Sequence, residues 1–289
     1  MTVPVSPIKL LVADVDGTLV TPDKALTTST VEVVKQLGAA GILFAVVSGR
    51  PPRGMKSLID PLGLTTPLAA FNGGLIVDPA LHTLQQKVLP TELVTPIIES
   101  LRSHALDVWI YRGHDWFVEN LDGPHVARER QTVQFAPRLT ENYSDLTDGV
   151  VKIVGVSDDT AAIQRATQAV HDRFGHSVSA AASQPYYLDV THPEANKGAV
   201  VQYLAARYRI APGQIAAIGD MANDVLMFAH AGLGIAMGNA SADVKRTARR
   251  VTASNAAEGF AKAVQRFILS APPEAPPPTA DSSSTEPRP

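Results

Sequence analysis

The sequence predicts an α/β fold, a parallel sheet covered by helices and interrupted by an α+β insertion. Three observations carry that expectation. Short apolar runs rich in β-branched residues alternate with helix-period segments at both ends of the chain. Each of those runs closes on polar residues. The middle, residues 83–186, has a different rhythm and holds half of the 16 aromatic residues, including both tryptophans.

The elements follow in order. Ile8 to Val15 is a strand closing on Asp14-Val15-Asp16-Gly17. Thr28 to Ala40 is a helix, with Val31, Val34 and Leu37 on one stripe. Gly41 to Val47 ends at Ser48-Gly49-Arg50, and Leu68 to Phe71 ends at Asn72-Gly73-Gly74. The insertion starts with a helix at Glu92 to His104, followed by Asp107 to Tyr111 and Trp116 to Glu119 as a hairpin around Gly113. A strand at Val150 to Val156, a helix at Thr160 to Phe174 and strands near Ser177 to Ala182 complete it. The α/β pattern returns with a helix at Lys197 to Tyr208, a strand at Gln214 to Ile218 ending in Gly219-Asp220, and helices at Asn223 to His230 and Asn255 to Leu269. In a parallel sheet all strand carboxyl ends share one edge, where open α/β sheets bind ligands. Four segments therefore deliver polar groups to one crevice. The expected layout is a discontinuous core (1–82 and 187–270), an inserted unit (83–186) and a Pro/Ser/Thr-rich tail (271–289) that lacks the apolar surface to offset its ordering entropy and is expected to be disordered.

Composition narrows the function. A net charge of -3 gives no electrostatic basis for binding nucleic acid or an anionic membrane, which leaves a small molecule as the expected partner. The absence of cysteine removes disulfides, thiolate nucleophiles, zinc-cysteine sites and iron–sulfur clusters. The first apolar run is short and contains Lys9 and Asp14, unlike a signal peptide, and no stretch reaches the ~18 apolar residues of a membrane helix, so a cytoplasmic protein is expected. The sequence carries no signal for oligomeric state.

The chemistry sits at the strand ends. Asp14 and Asp16, spaced i and i+2, place two carboxylates on one side of an extended chain, and Gly17 lets the backbone turn away. Adjacent negative charges repel unless a cation neutralises them, and hard oxygen ligands select Mg²⁺. An isolated Asp-Gly pair is otherwise an ordinary turn. Asp220 can complete the carboxylate set, while Asn223 and Asp224 also occupy positions where helix caps are common. Ser48 offers a hydroxyl to an anion, and Lys197 stands at a helix start where the dipole does not favour a cation. Together these residues describe a phosphate and Mg²⁺ site. His192 reads as a loop residue, and Lys245, Arg246, Arg249 and Arg250 as a solvated helix face.

Four ordered motifs, Asp14-Val15-Asp16-Gly17-Thr18, Val47-Ser48-Gly49-Arg50, Asn196-Lys197-Gly198 and Gly219-Asp220 through Asn223-Asp224, resemble the haloacid dehalogenase superfamily of phosphatases. Phe71-Asn72-Gly73-Gly74, Ala236-Met237-Gly238-Asn239-Ala240 and Val251-Thr252-Ala253-Ser254 resemble its Cof-type sugar-phosphatase-like branch (type IIB, C2 cap), and the resemblance covers residues 8 to 270. It implies a Rossmann-like core with an inserted α+β cap, and a Mg²⁺-dependent phosphomonoesterase acting on a small phosphorylated metabolite such as a sugar phosphate. By the same resemblance Asp14 is the nucleophile and Asp16 the general acid and base, its backbone carbonyl on the metal. Thr18 orients that aspartate. Ser48 and Lys197 hold the transferring phosphoryl group, Asp14, Asp16 and Asp220 hold Mg²⁺, Asn223 contacts phosphate or substrate, and Asp224 anchors its neighbours. Thr18, Gly49, Arg50 and Asn72 join the phosphate- or substrate-binding set, with Arg50 and Asn72 near the core-to-cap crevice. Met221 departs from the pattern, since a small or polar residue is commoner there, and so does the tail. A phosphomutase of the same superfamily and a catalytically quiet phosphometabolite-binding protein are the alternatives. The cap is expected to swing over the crevice, with Trp109, Tyr111, Trp116, Arg128 or Arg130 tuning selectivity.

Overall fold

The computed structural model describes residues 7–270; the tail expected to be disordered lies outside the described residues. The chain opens with β1 (Leu10–Asp14), every residue buried, followed by α1 (Thr28–Ala39), whose Thr27 side chain caps the Thr30 amide and whose Val33, Val34 and Leu37 face the sheet. Next come β2 (Leu43–Val47), α2 (Lys56–Leu62), β3 (Leu68–Ala70), β4 (Leu75–Val77) and β5 (Thr83–Gln86). The cap comprises α3 (Thr91–Ser103), β6 (Asp107–Arg112), β7 (Asp115–Val118), α4 (Val126–Val133), β8 (Arg138–Leu139), β9 (Val150–Val156), α5 (Thr160–Phe174), β10 (Ser179–Gln184) and β11 (Tyr187–Thr191). The core resumes with α6 (Lys197–Tyr208), β12 (Ile215–Gly219), α7 (Val225–Ala229), β13 (Leu233–Ala236), α8 (Ala242–Thr247), β14 (Arg250–Val251) and α9 (Gly259–Val264).

The core sheet has the order β14-β13-β12-β1-β2-β3-β4-β5. It is parallel from β14 to β3, and β4 and β5 extend it antiparallel. The central strands are apolar up to their carboxyl ends because helices cover both faces. Register fixes the site: Asp14 lies opposite Val47, so Ser48 follows beside it, and Ala13 lies opposite Ile218, which brings Gly219 and Asp220 to the other side.

The cap sheet has the order β10-β11-β9-β6-β7-β8. Period-two alternation divides its side chains. Val108, Ile110, Ile153, Leu188 and Val190 pack with residues of α3 and α5. Trp109, Tyr111, Trp116, Val154, Val156 and Tyr187 face the other way and share one apolar cluster with the core residues Met55, Leu68 and Phe71. The cap thus rests on the core. Helix α4 lies against residues 52–55, so closely that a Cβ on Gly54 would stand 3.3 Å from Val133 Cα. Arg53 adds an ion pair to Asp115 (3.5 Å) and stacks over Phe135 (4.3 Å).

Two strands fall on the other side of the expected boundaries. Thr83–Gln86, polar and exposed, pairs with β4 in the core sheet, whereas Tyr187–Thr191 pairs with β9 and β10 in the cap. The crossings therefore lie after Gln86 and after Thr191 rather than at 82/83 and 186/187. The helix expected at Asn223–His230 begins as a 3-10 turn at Ala222–Asp224. The one expected at Asn255–Leu269 breaks at Glu258 (φ 59°), because Gly259 passes so close to the Ala253 carbonyl that no Cβ fits. Helix α4 and strand β8 carried no sequence signal, one being largely polar and the other two residues long. Among the described residues no helix is long and apolar enough to cross a membrane.

Candidate active site

The centre of the site is a buried ammonium between two carboxylates. Lys197 Nζ donates to Asp14 Oδ1 and to Asp224 Oδ1, both at 2.6 Å. Helix α6 supplies that lysine in its first turn, which Asn196 caps by accepting from the Ala199 amide. The Asp224 Oδ2 atom accepts from the backbone amides of Asp220 and Met221 (2.8 and 2.9 Å), so Asp224 ties the turn after β12 to Lys197. Asp220 is held on both oxygens: Thr18 Oγ1 donates to Oδ1 (3.2 Å) and Asn239 Nδ2 to Oδ2 (3.1 Å). Gly17 (φ +84°) makes this approach possible, since a Cβ there would lie 2.3 Å from Asp220 Oδ2. Asn239 also donates to the Gly17 carbonyl (2.9 Å), clasping the two turns together.

Oxygens of Asp14, Asp220 and Asp224 lie within 4.8 Å of one another. Three carboxylates thus face one ammonium, and Asp14 Oδ2 is buried without a partner. Burial, reinforced by Asp224 and Asp220, pushes the Asp14 carboxyl well above its ordinary range despite the opposing Lys197. Burial and then Asp224 push Asp220 up to about 6. Burial disfavours the Lys197 charge, but Asp14 and Asp224 outweigh it and raise its pKa. Excess negative charge with an unfilled carboxylate oxygen fits a hard divalent cation, and Asp14 and Asp220 are the residues to hold it. Beside Asp14, Asp224 is the more heavily engaged of the remaining two, by the Lys197 ammonium and two backbone amides, against one hydroxyl and one side-chain amide on Asp220.

Asp16 stands apart from that trio. Arg50 grips it with two parallel bonds, Nε to Oδ2 and Nη2 to Oδ1, both 2.7 Å, and Lys24 Nζ reaches Oδ1 at 2.6 Å. Burial alone raises the Asp16 pKa, but the Arg50 and Lys24 charges reverse the sign and hold it below its ordinary value. Arg50, expected on phosphate or substrate, is thus on Asp16. Thr18, expected on Asp16, is on Asp220, because the Gly17 turn carries it beneath the β12 loop. Lys24 was not legible as a site residue, since it lies in a loop with no motif around it.

Ser48 is buried, its Oγ accepting from the Arg50 amide (3.1 Å) and its carbonyl from the Asn72 amide (2.8 Å). Gly49 lies against Asn72, whose left-handed backbone (φ 57°) presents Oδ1 to Asn223 Nδ2 at 3.2 Å. The loops of β2, β3 and β12 are thereby joined across the crevice. His192 accepts from the Glu194 amide within its own loop, and Lys245 is bonded to the Gly238 carbonyl.

Above the crevice the cap presents Tyr111, with its ring 5.2 Å from Phe71, the residue preceding Asn72. Trp109 and Trp116 are buried in an edge-on aromatic pair (5.2 Å), and Arg128 stacks over Tyr186 (4.8 Å). Arg130 lines a different hollow with Ala127, Gln131 and Gln134.

Comparison with known proteins agrees over nearly the whole described chain. A family model for haloacid dehalogenase-like hydrolases matches residues 11–264. The crystal structure of a haloacid dehalogenase-like hydrolase from Bacteroides thetaiotaomicron superposes with a TM-score of 0.82 at 30% identity, covering 90% of this chain and 99% of that one. The 5-amino-6-(5-phospho-D-ribitylamino)uracil phosphatase YitU of Bacillus subtilis is 28% identical over 275 residues, 90% of this chain and 97% of its own. The pyridoxal phosphate phosphatase YbhA of Escherichia coli is 26% identical over 273 residues, 90% and 99% of the two chains.

Proposed function

This chain belongs to the haloacid dehalogenase-like hydrolases, and from that premise we propose that it is a Mg²⁺-dependent phosphomonoesterase that releases phosphate from a small phosphorylated metabolite through an aspartyl-phosphate. The observation that carries the reading is the pair of 2.6 Å bonds from Lys197 to Asp14 and Asp224, with Asp14 Oδ2 left unpartnered. One carboxylate oxygen is anchored and the other is open to reaction. The named activities of the relatives, on a phosphorylated ribitylamino-uracil and on pyridoxal phosphate, support a small phosphorylated metabolite as substrate.

In this reading Asp14 Oδ2 attacks phosphorus, a P–O bond forms to the aspartate, and the bond from phosphorus to the leaving oxygen breaks. The nucleophilic form is the ionised carboxylate, which Lys197 favours and which a bound divalent cation would favour further against the burial that raises the Asp14 pKa. Ser48 and Lys197 flank the transferring oxygens and offset their charge. A Mg²⁺ ion held by Asp14 and Asp220 would neutralise the meeting anions.

Asp16 gives a proton to the leaving oxygen, then takes one from the water that hydrolyses the aspartyl-phosphate, which regenerates Asp14 and frees phosphate. In the arrangement seen, Asp16 is ionised in the Arg50 and Lys24 clasp, the form suited to the second step. Acting as the acid requires that clasp to loosen when substrate enters.

The test is phosphate release from a panel of phosphomonoesters, with Mg²⁺ and then with chelator, in oxygen-18 water. Release that needs the metal and carries one labelled oxygen supports hydrolysis. No release from any member overturns it, and transfer to a second alcohol without label identifies a mutase.

A further inference from the structure

Two asparagines past the last strands of the core sheet take no part in the chemistry above. Asn239 follows β13 and Asn255 follows β14, the strands beyond β12 in the sheet. Asn239 Nδ2 donates to Asp220 Oδ2 (3.1 Å) and to the Gly17 carbonyl (2.9 Å), and its Oδ1 accepts from the Asn255 amide (3.0 Å). Asn255 Nδ2 donates in turn to the Val20 carbonyl (2.9 Å). These bonds link Asp220 to both ends of the turn from Gly17 to Val20.

The chemistry of the partners leaves one orientation for the Asn239 amide. A backbone N–H only donates, and a carboxylate or carbonyl only accepts, so the amide oxygen must face Asn255 and the nitrogen must face Asp220 and Gly17. The backbone fixes where that amide starts. The Gly238 amide donates to the Ala253 carbonyl (2.9 Å), and the two loops run so close that a Cβ on Gly238 would lie 2.6 Å from the Ser254 nitrogen. Neither asparagine is buried. Bonds from such amides compete with water, so they add little to the stability of the fold.

Their effect falls on Asp220. Its oxygens lie within 4.8 Å of those of Asp14 and Asp224, and repulsion among the three carboxylates favours turning it away. Thr18 on Oδ1 and Asn239 on Oδ2 oppose that rotation. Donors of this kind orient a metal-binding carboxylate and leave further lone pairs on each oxygen for a cation. Thr18 belongs to the turn after Asp14, whereas Asn239 comes from a third loop and grips Asp220 and Gly17 at once. It therefore fixes the spacing between the strand ends that carry Asp14 and Asp220.

We propose that Asn239 and Asn255 are positioning residues for the divalent cation: Asn239 holds the Asp220 carboxylate beside Asp14 and against the Gly17 turn, and Asn255 holds Asn239. The inference rests on the metal-dependent phosphatase reading and adds the residues that set its metal affinity.

Mg²⁺ affinity is measured on the substrate-free protein by isothermal titration calorimetry, beside the melting temperature without metal. Asn239→Ala should weaken Mg²⁺ binding about ten- to hundredfold at an almost unchanged melting temperature. Asn255→Ala keeps its backbone amide, and hence the bond to Asn239, and loses only the anchor on Val20, so its loss should be smaller. Turnover of sorbitol 6-phosphate and of p-nitrophenyl phosphate, an aliphatic and an aromatic leaving group, supplies the second readout. The Mg²⁺ concentration giving half the maximal rate should rise in proportion to the lost affinity, equally for both esters, and saturating Mg²⁺ should return kcat to within severalfold of wild type. A defect unrelated to the metal would not respond to it.

An unchanged Mg²⁺ affinity in a folded Asn239→Ala protein, or a lost rate that the metal does not restore, overturns the relay and leaves the phosphatase reading intact. Phosphate release by the wild type that needs no metal overturns the relay together with the metal dependence. No release by the wild type from any member of the phosphomonoester panel overturns the phosphatase reading, and the inference falls with it.

Discussion

Core and cap both bury charge, and they do it in different places. In the core Asp14, Asp220 and Asp224 sit at or just past strand ends, and Lys197 in the first turn of α6. In the cap Lys152 and Asp189 lie within the adjacent antiparallel strands β9 and β11, where Lys152 faces Thr191 in register and Asp189 one alternate position away. The core arrangement follows from topology, since parallel strands must deliver their ends to one edge. The cap arrangement follows from side-chain choice at alternate positions of a sheet whose neighbouring residues on that face, Val154, Val156 and Tyr187, pack in an apolar cluster. The difference teaches that the core cluster is tied to the topology, whereas the cap pair can change without disturbing the strand ends that carry that cluster.

The sharpest way to break that division is at the nucleophile. Asp14→Asn should lower kcat by at least about a thousandfold on every leaving group, with the fold retained. A variant that keeps a substantial rate, or loses it for one substrate only, defeats the separation of roles.

Next in size is a comparison of two lysines. Lys197→Met and Lys152→Met each strand buried carboxylates, and each should cost on the order of 3–5 kcal/mol in chemical denaturation. Their kinetic signatures should diverge: Lys197→Met depresses turnover on all phosphomonoesters alike, while Lys152→Met changes the ratio between sorbitol 6-phosphate and p-nitrophenyl phosphate.

A pH measurement isolates the core charges. In the metal-free protein Asp220 titrates near 6 when folded against 3.8 for its ordinary value. The folded state therefore binds more protons than the unfolded state between those limits, and this residue's contribution to stability falls as pH rises through that window. Its size is roughly 1–3 kcal/mol. Thermal melts from pH 4 to 6.5 with chelator should show that slope relative to Asp220→Asn, and excess Mg²⁺, which binds the ionised form, should diminish it. An identical slope in wild type and variant would remove Asp220 as its source.

The same contrast governs how much could be read from sequence. Asp14, Ser48 and Asp220 were legible because apolar runs end abruptly there, Lys197 because a cation at a helix start opposes the dipole, and Gly17 signals the turn that brings Asp220 close. The side-chain partners were not: spacing places Arg50 and Thr18 near the crevice but does not decide that one grips Asp16 and the other Asp220. Lys152 and Asp189 did leave a trace, a lone charge in each of VVKIVGV and YLDVT. Only the antiparallel register turns those two charges into a pair. The cap boundaries failed for a related reason, since an exposed polar strand such as Thr83–Gln86 says nothing about which sheet it joins.

The smallest expected effect concerns the join between the two regions. Arg53 connects them through an exposed ion pair to Asp115 and a stack on Phe135, both in the cap. Exposed pairs contribute about 0–1 kcal/mol, so Arg53→Ala should barely move the melting temperature. Cap and core nevertheless meet beside the crevice, at Tyr111 and Phe71, and weakening the join should raise KM severalfold for every substrate in the same proportion. The ratio between sorbitol 6-phosphate and p-nitrophenyl phosphate then stays fixed, because neither the facing cap residues nor the core site has changed, only the fraction of molecules in which they face each other. If Arg53→Ala instead shifts that ratio, the residue takes part in reading the leaving group, and the division between a chemical core and a selecting cap has to be redrawn through residues 52–55.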